Sequence, residues 1–218
     1  MQIHYGVLDS EMVDLVVKKG ARDRIVSIDL ETKVIDRNFL TNEPILGISL
    51  SRRTSDIETE VYVLEEEGEE GEIRLLTKLD DYLKRVRPLI VIGFNHRGYD
   101  NVLLSTKERL TKGLWGIRDT LQRSYMLDII HAARFVISEY DSTTPKILPL
   151  TKVIAHPLFS GLPLMRNKSI LDPNIDKGKQ IYELWKNNLD QFRRYAVGDS
   201  HDTLLLFEKI FHLDDMDK

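Results

Sequence analysis

The chain has 218 residues, 42% hydrophobic and 30% charged, the profile of one sizeable folded domain and not of a disordered segment. Its formal net charge of −4 gives no overall basic field, so a polyanion would have to meet a local patch such as Arg52–Arg53, Arg85 with Arg87, or Arg193–Arg194. The absence of cysteine excludes disulfides, thiolate zinc sites and cysteine nucleophiles.

The opening "MQIHYGVLDSEM" has no basic-then-apolar signal pattern. No apolar stretch approaches the ~20 residues needed to span a bilayer. A cytoplasmic protein with no membrane partner is expected. Asn167–Ser169 fits a glycosylation sequon, which means little without a secretory signal. The six histidines lack metal-motif spacing, and His131, His156 and His201 read as ordinary surface or core residues.

Residues 1–23 read as an N-terminal extension to a core spanning 24–213, in one domain covering 1–218. Arg24–Glu31, "RIVSIDLE", is β-branched and apolar and predicts a buried strand. Pro44–Ser51 and Thr59–Glu65 predict two more, completing an antiparallel meander. The acidic, glycine-broken stretch Glu65–Glu72 reads as a solvated loop. Ile73, Leu75, Leu76, Leu79, Leu83 and Val86 recur at helical spacing, and Pro88 ends that helix. Leu89–Asn95 predicts a buried strand, "YDNVLLSTKERL" a helix, and "SYMLDIIHAARFV" a short strand passing into a helix near Asp128. The proline-punctuated stretch from Thr143 to Asp176 reads as short helices and loops. "KQIYELWKN" and "NLDQFRRYAVGDSHDTLLLFEKIF" predict two amphipathic helices. This order of elements indicates an α/β or α+β domain with a mixed sheet.

Three stretches carry carboxylates that could meet. Asp29 and Glu31 are two apart on a strand, so they share a face with Cα atoms roughly 7 Å apart. Alone, such a pair has an ordinary explanation in tipping into solvent. Asp100 falls near a helix start, where the macrodipole favours an acid without any function. Tyr195 and Asp199 lie one turn apart, about 6 Å along a helix axis, which an amphipathic helix with an aromatic anchor would also produce. Together, four such acids can hold two divalent cations roughly 3.5–4 Å apart, and oxygen-only ligands suit Mg²⁺ or Mn²⁺.

This set resembles the DEDD exonucleases of the tyrosine type, in particular the 3′→5′ proofreading domain of family-B DNA polymerases. "SIDLET" is similar to that family's first motif, "IGFNHRGYDNVLL" to the second and "RYAVGDSHDTLLL" to the third. Weaker likenesses, "YMLDIIHAAR" and "KSILDPNIDKGKQIYELWKNN", fall in order between them. The resemblance implies a ribonuclease H-like α/β fold with a mixed central sheet flanked by helices. It implies that Asp29, Glu31, Asp100 and Asp199 hold two Mg²⁺ or Mn²⁺ ions, that Tyr195 orients the attacking water, and that Leu30, Thr32, Asn95 and Tyr99 contact the terminal nucleotides. The implied substrate is the 3′ end of DNA, with single strands preferred. An exoribonuclease and a catalytically silent nucleic-acid-binding subunit are the alternatives. Tyr99 stands where that family usually has phenylalanine. No polymerase motif follows, so a free-standing enzyme is expected, with a separate replication or repair partner left open.

Overall fold

The computed structural model describes residues 3–34, 43–96, 99–108, 113–142, 148–165, 170–172 and 174–213. Helix α1 (Ile3–Lys18) precedes an antiparallel meander of β1 (Ile25–Thr32), β2 (Ile45–Arg53) and β3 (Ile57–Val63). Helix α2 (Glu69–Val86), β4 (Ile90–Gly93), α3 (Asp100–Glu108), α4 (Trp115–Arg123) and β5 (Tyr125–Asp128) follow. Helices α5 (Ile129–Asp141), α6 (Leu150–Ile154), α7 (Lys177–Asn187) and α8 (Leu189–Ile210) complete the chain. The strands form one mixed sheet in the order β3-β2-β1-β4-β5, with β1, β4 and β5 mutually parallel. Among the described residues no helix is long and apolar enough to cross a membrane.

The meander, the β4 strand and the strand-to-helix passage at Asp128 match the sequence expectations. The acidic stretch corrects one of them. Helix α2 begins inside it, and Glu69, Glu70 and Glu72 form its first turn. Carboxylates there face unpaired N–H groups and the positive end of the macrodipole, so the acids that look like loop composition start the helix instead. The sequon at 167–169 lies outside the described residues. The first helix contributes Val13 and Val16 to an apolar cluster with Ile25, Ile90 and Ile92 of the sheet.

Alternation along β1 sorts its side chains between two faces. Val26, Ile28 and Leu30 pack with Leu75, Leu76, Leu79 and Leu83 of α2. Ser27, Asp29 and Glu31 point the other way, and their partners across the β1–β2 ladder are Ser51, Ser49 and Gly47. That second face is built of small residues, and α8 lies on it. A Cβ on Gly47 would stand 2.8 Å from the Phe192 ring, so only glycine admits the helix at this depth. Farther along, Ser51 Oγ and Ser200 Oγ share a hydrogen bond of 2.9 Å. At the far end Glu208, 3% exposed, accepts from Arg53 Nη2 at 2.5 Å and Arg22 Nη2 at 3.0 Å. Phe192 to Ser200 is about 12 Å of helix and Gly47 to Ser51 about 13 Å of strand, so the pairing is commensurate and the register of α8 is fixed.

Gly47→Ala should therefore destabilise the fold by about 1–3 kcal/mol through overpacking. Trimming the opposing ring with Phe192→Leu in the same chain should return part of that loss. Urea denaturation of both variants checks this; equal stability of Gly47→Ala and the parent would show that α8 does not depend on the close approach.

Candidate functional site: an acidic centre at the carboxyl edge of the sheet

The register of α8 determines which side chains meet β1. Asp29, Glu31 and Asp199 each bring one carboxylate oxygen to within 4.8 Å of the others. Glu31 is 3% and Asp199 5% exposed, while Asp29 is half-buried. The pair on β1 therefore does not tip into solvent; it lies under α8. Pairing with β2 slips by one residue between Glu31, opposite Gly47, and Thr32, opposite Ile45. That irregularity ends the regular ladder at the acids.

Asp100 is the first residue of α3 and is 6% exposed. It stands outside the closest three but within their field. Burial pushes its carboxyl well above the usual carboxylate range, Glu31 pushes it further, and Asp128 and Asp199 add to this while Lys177 opposes it. Tyr195, one turn before Asp199, is fully buried. Burial first, then Glu31, Asp199 and Asp29, raise its phenol far above the ordinary value, so it stays protonated at any physiological pH. The four predicted acids and the tyrosine thus converge from β1, α3 and α8.

Asp100 is aimed by a strained turn. After β4 the chain reverses through Asn95, whose φ of 64° lies in the left-handed region. The Asn95 N–H donates to Asp128 Oδ1 at 2.8 Å, and the same oxygen accepts from Ile130 N at 3.2 Å, capping α5. Asp128 thereby ties the β4–α3 turn to the end of β5. His96 is fully buried against Gly93, where a Cβ would come within 2.7 Å of it. The His96 carbonyl accepts from Asn101 N at 3.0 Å, which starts α3 one residue beyond Tyr99.

The expected nucleotide contacts divide into three kinds. Asn95 is exposed, its backbone N–H held by Asp128. Leu30, 5% exposed, faces the opposite side of β1 and packs in the core. The Tyr99 hydroxyl donates to Oε2 of Glu43, which is 1% exposed, and accepts from Thr32 Oγ1 at 2.5 Å, with Thr32 Oγ1 a longer 3.4 Å from the same carboxylate oxygen. Burial and the Glu43 carboxylate raise the Tyr99 phenol, keeping it protonated as the donor. The hydroxyl that distinguishes Tyr99 from phenylalanine therefore has a dedicated acceptor.

Three residues of this neighbourhood escaped the sequence reading. Glu43 precedes Pro44 with no motif around it, and only the fold brings it to Tyr99. Asp128 was visible as a strand-to-helix junction but not as an anchor for Asn95. Lys177 begins α7 in "DKGK" and acts on both Asp100 and Tyr195, its Nζ 5.9 Å from the tyrosine ring centroid. A lone lysine after a helix cap gives no sign of such a role. Of the histidines singled out in the sequence, His156 bonds Asp141 and His201 bonds Asp202, each at 3.1 Å.

The donor set fits a hard divalent cation. It offers carboxylate oxygens only, closely spaced and largely desolvated, and like charges so placed require a counter-charge. Among the described residues no other group of three potential ligands gathers in this way.

No protein-family model matches the chain, and no curated protein matches it. Its fold is similar to that of the family B DNA polymerase from the hyperthermophilic archaeon Pyrobaculum calidifontis, with a TM-score of 0.60 and 21% identity over 85% of this chain. That match spans 24% of the polymerase, so the likeness is one of fold to about a quarter of that protein.

Proposed function

We propose that the protein is a metal-dependent 3′→5′ exonuclease with a ribonuclease H-like fold and a tyrosine-type DEDD site, releasing nucleoside monophosphates from DNA 3′ ends with single strands preferred. The observation that carries this reading is the meeting of Asp29, Glu31 and Asp199 within 4.8 Å. These acids come from segments some 170 residues apart in the chain, and Asp100 and Tyr195 are coupled to them electrostatically. The fold shared with part of a family B DNA polymerase supports it.

Asp29, Glu31 and Asp199 would hold one cation, and Asp100 with Asp29 a second. When bound, Mg²⁺ or Mn²⁺ supplies charge neutralisation and Lewis acidity at a scissile phosphate. The protein's own groups do the positioning. Tyr195, held protonated, is a poor base but a fixed hydrogen-bond partner that orients the attacking water. Lys177 offers a positive charge beside the acids to a phosphate oxygen. Asn95 and the Tyr99 ring hold the terminal nucleotide, with Glu43 and Thr32 locking the ring's orientation. Stacking on an aromatic ring suits every base.

A time course on 5′-labelled single-stranded DNA with Mg²⁺ or Mn²⁺ tests the reading. A ladder shortening from the 3′ end is expected, abolished by EDTA and by the double variant Asp29→Ala, Glu31→Ala. A matched RNA run alongside fixes the substrate class. Folded protein that leaves both strands intact would instead support a silent binding subunit. Tyr195→Phe keeps the buried ring and removes only the hydroxyl, so it should lower kcat by roughly 10- to 100-fold with KM little changed.

The buried charge predicts a stability effect that needs no substrate. Asp100 has a raised folded pKa, so its favourable neutral form is fully present below the ordinary carboxylate pKa. That contribution is lost as pH rises through the displaced value. The metal-free parent should therefore lose stability over that rise relative to Asp100→Asn, which at pH 7 should be the more stable by about 1–3 kcal/mol. Mn²⁺ at a thousand times its Kd should stabilise the parent by about 4 kcal/mol. Thermal melts across pH, with and without Mn²⁺, measure both; an Asp100→Asn variant less stable than the metal-free parent at pH 7 would show that the acid is already well compensated.

A further inference from the structure

The opposite edge of the sheet carries a second polar cleft. Arg24, Leu89 and Tyr125 stand together at the amino ends of β1, β4 and β5, joined by Leu89 N to Arg24 O at 2.9 Å and Tyr125 N to Leu89 O at 2.8 Å. The acids lie at the other ends, six residues or about 20 Å along β1. A cleft of about 490 Å³ opens at this amino edge, lined by Arg24, Arg87, Trp115, Asp119 and Arg123 among others.

Its charges are unusual in how little they are paired. Four arginines of the sequence patches have acid partners: Arg52 with Glu58, Arg53 with Glu208, Arg85 with Glu60 and Arg193 with Asp190. Arg123 pairs with Asp119 at 2.7 Å. Arg24 instead spends two of its donors on the Arg87 backbone carbonyl, at 2.8 and 2.6 Å. Among the described residues neither Arg24 nor Arg87 has a carboxylate partner. Two guanidinium groups thus share a cleft with Arg123 against the single acid Asp119, a net charge of +2.

Arg87 also occupies a position that glycine would fill more easily. It caps the C-terminus of α2 with φ 49°, in the left-handed region where a side chain is disfavoured. Trp115 borders the same cleft, 50% exposed, with Lys84 Nζ 5.2 Å from its ring centroid. An exposed indole beside unpaired guanidinium groups combines a surface for a base with donors for a phosphate.

We propose that this cleft binds the phosphate ester of a nucleotide, with the phosphate on Arg24 and Arg87 and the base against Trp115. The source is either a free nucleoside monophosphate or a single strand, which share that chemistry. The inference does not depend on the acid cluster being catalytic.

Trp115 provides the readout. Indole fluorescence is titrated in EDTA, so nothing is cleaved, with inorganic phosphate, a deoxynucleoside 5′-monophosphate and a twelve-residue single-stranded oligonucleotide, the last length chosen as roughly one binding-site span. Saturable quenching by the mononucleotide or the oligonucleotide, at least about tenfold tighter than by phosphate, is expected. The signal should be missing in Trp115→Phe, and affinity should fall at least about tenfold in Arg87→Glu, a change at an exposed side chain. An oligonucleotide more than about tenfold tighter than the mononucleotide, with affinity falling as salt rises, identifies the strand as the source. Equal affinities identify the free nucleotide. No saturable quenching, quenching no tighter than phosphate, or quenching that survives Arg87→Glu would overturn the proposal. A missing exonuclease ladder would leave this titration unaffected, so the two readings fail separately.

Discussion

The close seating of α8 on the small-residue face of β1 and β2 is the constraint on which the rest depends. Gly47 lets Phe192 in, Ser51 bonds Ser200, and Arg22 and Arg53 clasp Glu208. Between the first two anchors the helix has only one position available to Asp199, and that position faces Asp29 and Glu31. A bulkier residue at 47 or 51 would lift the helix, and carboxylate spacing would change with it. The acid centre is thus a consequence of packing at neighbouring positions as much as of the acids themselves.

That packing creates an electrostatic liability. Burial removes water from Glu31, Asp100 and Asp199, and their mutual repulsion is largest where the dielectric is lowest. Asp100 registers this as a strongly raised pKa. Lys177 is the one cation acting on both Asp100 and Tyr195 among their resolved influences, and it offsets only part of the effect. Asp29, Glu31 and Asp199, gathered under such repulsion, form a set that could hold a metal ion. Tertiary packing and hydrogen bonds hold the apo arrangement, with Asp128 fixing the strained Asn95 turn from which Asp100 projects.

The sequence was informative wherever chemistry and local periodicity coincide. The D-x-E strand, the acid at a strand–helix junction and the Y-x-x-x-D helix each combine a periodic apolar run with a polar interruption, and all five residues converge. It was less informative where a role exists only across the fold. Glu43 acquires meaning from Tyr99, 56 positions away, and Lys177 from a helix start that swings it toward Asp100. The acidic run before α2 misled for a different reason: glycine and glutamate read as loop composition, yet glutamates in a first helical turn are stabilised by the backbone N–H groups they face. Leu30 shows the limit of carrying a role along a motif, because strand alternation sends it to the core face while its neighbours Asp29 and Glu31 face Asp199.

Parallel pairing of β1, β4 and β5 explains why charge is segregated in this molecule. Strands that run the same way place their carboxyl ends on one edge, where Asp29, Glu31, Asp100 and Asp128 collect. The turns that feed them lie on the other, where Arg24 and Arg87 collect. The formal charge of −4 is taken over the whole chain and says little about either edge. An anion approaching such a molecule is repelled by the metal-free acid edge and attracted to the arginine edge about 20 Å away. Divalent cations at the acids would remove the repulsion without touching the attraction.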